Sequence, residues 1–384
     1  MGNKLIYVDN TSIGSKHEMF NTSSLKMFSE IYDEVTFYSS KTVKINIFNI
    51  LKKIPDNISF KYLPVINAKR RISGYLFAVT ALLTSCYILI KTNRNDVIFF
   101  NYTVLWGLSI QLFLSKILNQ KVIFMFHGEL EYLYDSKSPL NSLSSKALRK
   151  IKEKNFTPPK NVYFCVLGES IQRNLKKYVS NNFYQKTIFF EHSYIFREKV
   201  KSKKINDGFL RIGNLGEIRS EKLFIDNLIK FSKLLESIKK IKFYSIGRIF
   251  YNKDLLEKNG IKTIPDSHVR RLSRSEMNNY MSMLDYVIFL YPKDGYILRA
   301  SGAIFDAIDN EKPILAIRNE YFNYLFSKYQ EIGYLFENTE EIFEYLNNIN
   351  QQNTSIDYKK IKHQLSPEII ALHFKKELEK IKFL

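Results

Sequence analysis

The sequence predicts an α/β protein of two domains, each built on a parallel sheet. Short β-branched or aromatic runs alternate with longer helical stretches, the alternation pauses once near the middle, and 384 residues exceed what one ordinary core accommodates. In the first half the expected strands are Leu5–Val8, Val35–Tyr38, Ile58–Tyr62, Val97–Phe100, Val122–Phe126 and Val162–Leu167. Nearly all are followed by amphipathic or apolar helices. The stretch REKVKSKKINDG, Arg197 to Gly208, is charged and expected to be exposed. Beyond it the strands resume at Phe209–Ile212, Ile241–Ile246, Ile261–Ile264, Tyr286–Leu290, Pro313–Ile317 and Gly333–Phe336. A boundary near 200–207 gives one domain over 1–204 and a second over 205–365. The remainder, 366–384, opens with Ser366-Pro367, a good N-cap and first-turn pair, and carries Ile369, Leu372, Phe374, Leu378 and Ile381 at helical spacing. It is expected to form a terminal helix that can return to the N-terminal domain.

Composition places the chain among folded globular proteins: 45% hydrophobic, 15% aromatic and 25% charged. The two cysteines, Cys86 and Cys165, lie in apolar runs without a second Cys or His at ligand spacing, which predicts reduced core thiols and no structural zinc. The opening MGNKLIYVDN is strand-like and unlike a secretory signal, so a cytoplasmic location is expected. Ile72 to Ile90 runs 19 residues without a charge between Lys69-Arg70-Arg71 and Lys91, the minimum length of a membrane span. Its Ser73, Gly74, Thr80, Thr84 and Ser85, and its place between two strands, favour instead a helix packed on a sheet, buried or facing a membrane.

A net charge of +20, from 58 basic against 38 acidic residues, holds a protein near polyanions. The basic clusters Lys69–Arg71, Lys146–Lys160 and Lys199–Lys204 fall in the first half. No recognised nucleic-acid motif accompanies them, so an anionic membrane surface is expected ahead of nucleic acid.

Chemistry concentrates at strand-to-helix junctions. Strand Tyr286–Leu290 leads through Tyr291-Pro292-Lys293-Asp294-Gly295-Tyr296 into Arg299-Ala300-Ser301-Gly302, which opens a helix carrying Asp306. A helix start presents unpaired N–H groups, Gly302 permits close approach, Arg299 can grip a phosphate, and Asp306 can accept from ribose hydroxyls. A second junction, Gly213 to Lys222, brings Gly216, Arg219 and Lys222 to a sheet edge, and a third places Gly247 and Arg248 after a strand. For each the plainer reading is an ordinary βα turn with solvated charges.

The order of these segments, ending in LDYVIFLYP, RASGAIFDAI and KPILA, resembles the nucleotide-binding half of retaining GT-B glycosyltransferases of bacterial surface polysaccharide synthesis, the family 4-like or group 1 type. The resemblance covers roughly residues 206–320. It implies the GT-B fold, two Rossmann-like parallel-sheet domains facing an interdomain cleft, with the donor diphosphate on Lys222 and the ribose on Asp306. The chain departs from the family's paired glutamates, since Leu298 stands at the first and Asp306 at the second. It also has Glu217 where an arginine usually follows the glycine, leaving Arg219 or Arg299 as substitute. In the first half, the loop Asp9–His17 with Gly14, and His127-Gly128-Glu129, resemble the acceptor half of the same family, with His127 facing the cleft; Glu191-His192 resembles it more weakly.

No GxxxxGK[ST], HExxH, GxSxG or DxD segment occurs, so metal-independent chemistry without a cofactor is expected. The resulting expectation is transfer of a sugar from a nucleotide-diphosphate donor to a glycan acceptor, lipid-linked, in O-antigen or capsule biosynthesis at the inner membrane face. His127, Glu129 and Arg299 are the catalytic candidates. Gly14, Gly216, Arg219, Lys222, Gly247, Arg248, Tyr296, Arg299, Ser301, Gly302 and Asp306 are the candidates for binding. Two alternatives stay open: a nucleotide-sugar epimerase on the same fold, and a non-catalytic basic protein that binds nucleic acid or membrane.

Overall fold

The computed structural model describes residues 2–66, 71–134, 142–198, 205, 207–219, 222–238, 240–250, 252–330, 332–349 and 355–384, with only the backbone at 71–73, 142–143 and 222–223. Lys69, Arg70 and the cluster 199–204 lie outside the described residues. The chain forms two compact units: Met1–Ile195 with Leu298–Ala300 and Gln364–Leu384, and Phe196–Ile297 with Ser301–His363.

The first unit runs β1 (Lys4–Val8), α1 (Glu18–Ser29), β2 (Glu34–Ser39), α2 (Lys41–Leu51), β3 (Ile58–Tyr62), α3 (Arg71–Lys91), β4 (Val97–Phe100), α4 (Leu108–Leu118), β5 (Lys121–Met125), α5 (Ser142–Lys152), β6 (Val162–Leu167), α6 (Glu169–Leu175), α7 (Asn181–Gln185) and β7 (Thr187–Phe190). Its seven strands are ordered β3-β2-β1-β4-β5-β6-β7 and all pair in parallel. Sheets of this kind are covered on both faces, which is why VIFF of β4 and KVIFM of β5 are apolar without alternation. β7, TIFF, was not expected from the sequence: Phe183-Tyr184-Gln185-Lys186 runs into it with no Gly or Pro to set it off.

The second unit runs β8 (Leu210–Leu215), α8 (Lys222–Leu235), β9 (Ile241–Ile246), α9 (Lys253–Lys258), β10 (Lys262–Thr263), α10 (Arg274–Ser282), β11 (Tyr286–Phe289), α11 (Ala303–Asp309), β12 (Ile314–Ile317), α12 (Glu320–Tyr329), β13 (Gly333–Phe336), α13 (Thr339–Asn347) and α14 (Tyr358–Gln364). Its six parallel strands are ordered β10-β9-β8-β11-β12-β13. β8 continues past the expected end at Ile212, because Gly213 is a packing glycine and not a turn: a Cβ there would stand 2.4 Å from Leu284 Cδ1. Arg197, expected in an exposed stretch, is held instead, its Nε donating to Asp309 and its Nη2 to Asn310.

Aromatic rings fill one face of the first sheet. Tyr7 stacks on Phe37 with centroids 4.8 Å apart, Phe28 meets Phe99 at 4.9 Å, and Phe190 meets Phe374 at 4.9 Å. Phe374 belongs to α15 (Pro367–Lys380), which Ser366 caps by accepting from the Ile369 N–H. The terminal helix therefore lies in the first unit's core, beside α1.

α3 is long and apolar enough to cross a membrane by length and composition. It is nevertheless fastened to the sheet. Asn10 Nδ2 donates to Ala81 O at 2.7 Å and lies within hydrogen-bond reach of Thr84 Oγ1 and Ser85 Oγ, while Gln120 Nε2 donates to Leu89 O at 3.0 Å and Thr92 O at 2.6 Å. Ala81, Leu82, Ile88 and Leu89 are buried. Of the two thiols, Cys165 is buried, whereas Cys86 is only partly so.

Phe374→Ala should lower the unfolding free energy by about 3–5 kcal/mol through the cavity it leaves. Chemical denaturation of the full chain would measure this, and a cost under about 1 kcal/mol would contradict the placement of α15 in the core.

Candidate functional site

In a parallel α/β sheet the ligand-bearing edge is the one formed by strand carboxyl ends, at the point where strand order reverses. In the first unit that point lies between β1 and β4. A ladder of buried polar side chains occupies it. Asp9 accepts from the N–H groups of Thr11 and Ser12 and from Asn21 Nδ2, at 3.1, 3.0 and 2.6 Å. Asn21 Oδ1 accepts from Asn101 Nδ2 at 2.8 Å and from Tyr7 Oη at 3.0 Å. Asn101 in turn meets His127, whose Nε2 is 2.7 Å from the Asn101 carbonyl oxygen.

That last contact assigns the tautomer. A carbonyl only accepts, so Nε2 carries the proton and the neutral ring offers Nδ1 as an acceptor. Burial lowers the His127 pKa below its ordinary 6.5, outweighing the opposing pull of Glu129. The ring sits edge-on to Phe20 and His17, centroids 4.7 and 4.9 Å away. It is thus a neutral, fixed imidazole at a strand end.

The other candidates of this unit divide. Glu129 is used locally, its Oε2 accepting from the N–H groups of His127 at 2.8 Å and Gly128 at 3.1 Å. Gly14 is left-handed (φ 62°), with its N–H donated to Thr42 Oγ1 at 2.9 Å. Arg299 falls within this unit, its stem so near Gly128 that a Cβ there would be 3.2 Å from Arg299 Cδ. Glu131, buried nearby, accepts from the Leu298 N–H at 2.7 Å.

In the second unit the reversal lies between β8 and β11. Gly216 and Gly247 end β8 and β9 in direct backbone contact: a Cβ on Gly247 (φ 146°) would be 2.0 Å from the Gly216 carbonyl oxygen. No side chain fits there. Ala303, the first residue of α11, closes on Gly216 from the other side. Two residues before the glycines, Asn214 and Ser245 pair across the strands and are buried, and their side-chain polar atoms have no protein hydrogen-bond partner among the described residues. Buried polar groups in that state ordinarily meet water or a ligand.

Cations surround this edge. Arg219 Nη2 donates to Glu217 Oε2 and Arg271 Nη2 to Glu217 Oε1, both at 2.7 Å. Burial works against the Glu217 charge, yet the Arg219 and Arg271 contacts win and hold its carboxyl below the usual range. The guanidiniums of Arg248 and Arg219 lie 4.3 and 5.1 Å from the Phe250 ring. Three arginines against one carboxylate leave the cluster a net cation. Lys222 begins α8, with only its backbone described.

Asp306, expected to hold a ribose, is paired with Arg274. Ser301 is buried with its hydroxyl 3.1 Å from Tyr291 Oη, and Gly302 is the N-cap of α11. Tyr296 is left-handed (φ 62°) and stacks on Tyr291 at 4.0 Å. The second unit therefore brings Gly216, Arg219, Gly247 and Arg248 together at one edge. Arg271 and Arg274 were missed; they precede or begin α10, and only the fold carries them to Glu217 and Asp306. Asn101 was missed too, although it stands as a lone amide directly after the apolar run VIFF. Among the described residues no cluster of three or more His, Cys, Asp or Glu could hold a metal ion.

Both units have the architecture of GT-B glycosyltransferase structures. HepE of Anabaena, solved with UDP and glucose, matches over 100% of each chain at 12% identity and a TM-score of 0.62. The trehalose-6-phosphate synthase OtsA matches 98% of this chain and 99% of its own at 9% identity, TM-score 0.63. The lipopolysaccharide outer core galactosyltransferase WaaB matches 98% and 99% at 7% identity, TM-score 0.59. At these identities the likeness establishes the GT-B fold. No family model matches the sequence, and no curated protein does.

Gly247→Ala should destabilise the second unit by at least ~3 kcal/mol, since the clash is with backbone, whereas Gly14→Ala should cost about 1 kcal/mol, with open space and only the left-handed φ to oppose it. Denaturant titration compares them, and equal costs would contradict the strand-end contact. A second expectation concerns pH. With its folded pKa below 6.5, His127 makes the unfolded chain bind more protons between the two values, so stability falls as pH drops through 6.5. His127→Gln should lose less Tm on acidification than the unmutated protein; an equal loss would show that His127 is not held neutral.

Proposed function

We propose that the protein is a glycosyltransferase that moves a sugar from a nucleotide-diphosphate donor to a glycan acceptor. The observation that carries this reading is the backbone edge of Gly216 and Gly247 ringed by Arg219, Arg248 and Arg271. Such an edge suits a diphosphate: glycines admit it to the backbone, and guanidiniums match phosphate geometry. Asn214 and Ser245, buried below the glycines, are polar groups that a ligand or its water could satisfy. HepE, solved with UDP-glucose as well as with UDP and glucose, supports a nucleotide-sugar donor by fold likeness.

In this reading Lys222, Arg219 and Arg248 receive the donor diphosphate. Asp306, with its charge shared by Arg274, accepts from the ribose. His127 presents Nδ1 to a sugar hydroxyl, and Arg299 steadies charge as the diphosphate departs. Fixed cations at the leaving group make a metal ion unnecessary. The donor stereochemistry is retained, the acceptor is lipid-linked, and the reaction belongs to surface polysaccharide synthesis at the inner face of the cell membrane. The likeness to WaaB and the +20 charge support that setting.

Lys222→Ala and Arg299→Ala should each reduce turnover by at least about a hundredfold while leaving thermal unfolding unchanged. EDTA should leave the rate as it is. A screen of UDP, GDP, dTDP and CMP sugars with released nucleotide as readout supplies the assay. Turnover at the unmutated level in both variants would refute the assignment, and donor consumed without an acceptor, giving an epimeric sugar, would replace transfer with epimerisation.

A further inference from the structure

Two neighbouring helices of the first unit turn apolar stripes to solvent. On α3 the exposed large side chains are Leu76, Val79, Leu83, Tyr87 and Ile90, spaced three and four apart on the face opposite buried Ala81, Ile88 and Leu89. On α4, which packs beside it, Ile110, Phe113 and Ile117 do the same. Leu83, Ile90, Phe113 and Ile117 are 63%, 65%, 62% and 61% exposed. Scattered apolar residues are ordinary on a surface, but two packed helices with continuous stripes are not.

The stripe joins a cationic rim. A surface cavity of about 300 Å³ is lined by Phe113 and Lys116 of α4, Lys150 of α5, and Glu153, Asn155 and Thr157 beyond it, two lysines against one carboxylate. Lys146, Arg149 and Lys152 of α5 are exposed alongside Lys150. At the far end of α3, Lys91 Nζ donates to Tyr87 Oη at 2.7 Å, an amphipathic pair.

We infer that the α3–α4 face docks on a bilayer bearing anionic headgroups, its stripes entering the headgroup–acyl boundary and Lys116 and Lys150 taking lipid phosphates. Charge and apolarity together select this occupant. Nucleic acid would meet the lysines and leave the aliphatic stripes in water. A second copy would set the same lysines against each other. Spanning is opposed by the Asn10 and Gln120 hydrogen bonds that tie α3 to the sheet, so the helix lies on the membrane and does not cross it. The inference rests on the membrane setting proposed above and not on the donor site.

The test is flotation of the full-length protein with phosphatidylcholine vesicles and with vesicles that also contain phosphatidylglycerol. Binding is expected to the anionic vesicles and to weaken in high salt. The exposed double variant Leu83→Glu with Phe113→Glu should bind at least roughly tenfold more weakly. Lys116→Ala with Lys150→Ala should lose about an order of magnitude and the preference for anionic lipid. Circular dichroism and nucleotide-sugar affinity should be unchanged in both. Vesicle binding unaffected by the glutamates, no binding by the unmutated protein, or a dimer that the glutamates disperse would each overturn the inference, while intact nucleotide-sugar binding would leave the donor reading standing.

Discussion

Parallel pairing of every strand is the constraint from which the rest of the molecule follows. When all strands in a sheet run the same way, all their carboxyl ends, and the loops that leave them, lie on one edge. The return path must then be a helix, so each sheet is covered on both faces, and strands such as β4 and β12 are apolar throughout. Many of the polar residues gather at the strand ends. In the first unit those ends hold Asp9, Asn101, His127 and Glu191; in the second they hold Glu217, Arg248 and Tyr291.

What each edge can do differs because its polar groups are satisfied differently. The first-unit ladder is closed: Asp9, Asn21, Asn101 and His127 hydrogen-bond one another, so the imidazole is held in one tautomer with its charge suppressed by burial. Such an edge positions a neutral acceptor. The second edge is open in the same terms. Its glycines touch backbone to backbone, its buried Asn214 and Ser245 lack protein partners among the described residues, and its arginines outnumber their carboxylate. It suits an anion.

Much of this was legible in the sequence, and the reasons differ by element. Runs such as VIFF and VYFCVL identify parallel strands because a short continuous apolar run has few other uses in an α/β chain, and Ser366-Pro367 marks a helix start by local chemistry alone. The extent of β8 was not legible: Gly213 reads as a turn, and only the approach of Leu284 shows it to be a packing glycine. β7, no shorter than β4, was missed because the aromatic stretch before it carries no Gly or Pro to set it off. Gly216 and Gly247 were found because a glycine after a strand signals a backbone constraint, but their mutual contact requires the register of β8 against β9. Arg271 and Arg274 were invisible because the residues they pair with, Glu217 and Asp306, are distant in sequence. The outward stripe of α3 was hidden for the opposite reason, since a helix apolar on every side gives no hint of which face the sheet will cover.

The central claim is that the second sheet's edge is a nucleotide-diphosphate site. Hydrogen–deuterium exchange of the full chain, with and without saturating UDP, GDP, dTDP and CMP sugars in turn, tests it most directly. One donor should slow exchange in the segments after β8 and β9, around Glu217–Arg219 and Arg248–Phe250, and leave α3 and α4 unchanged. Saturable donor binding with protection elsewhere, or no protection by any donor, would contradict the account.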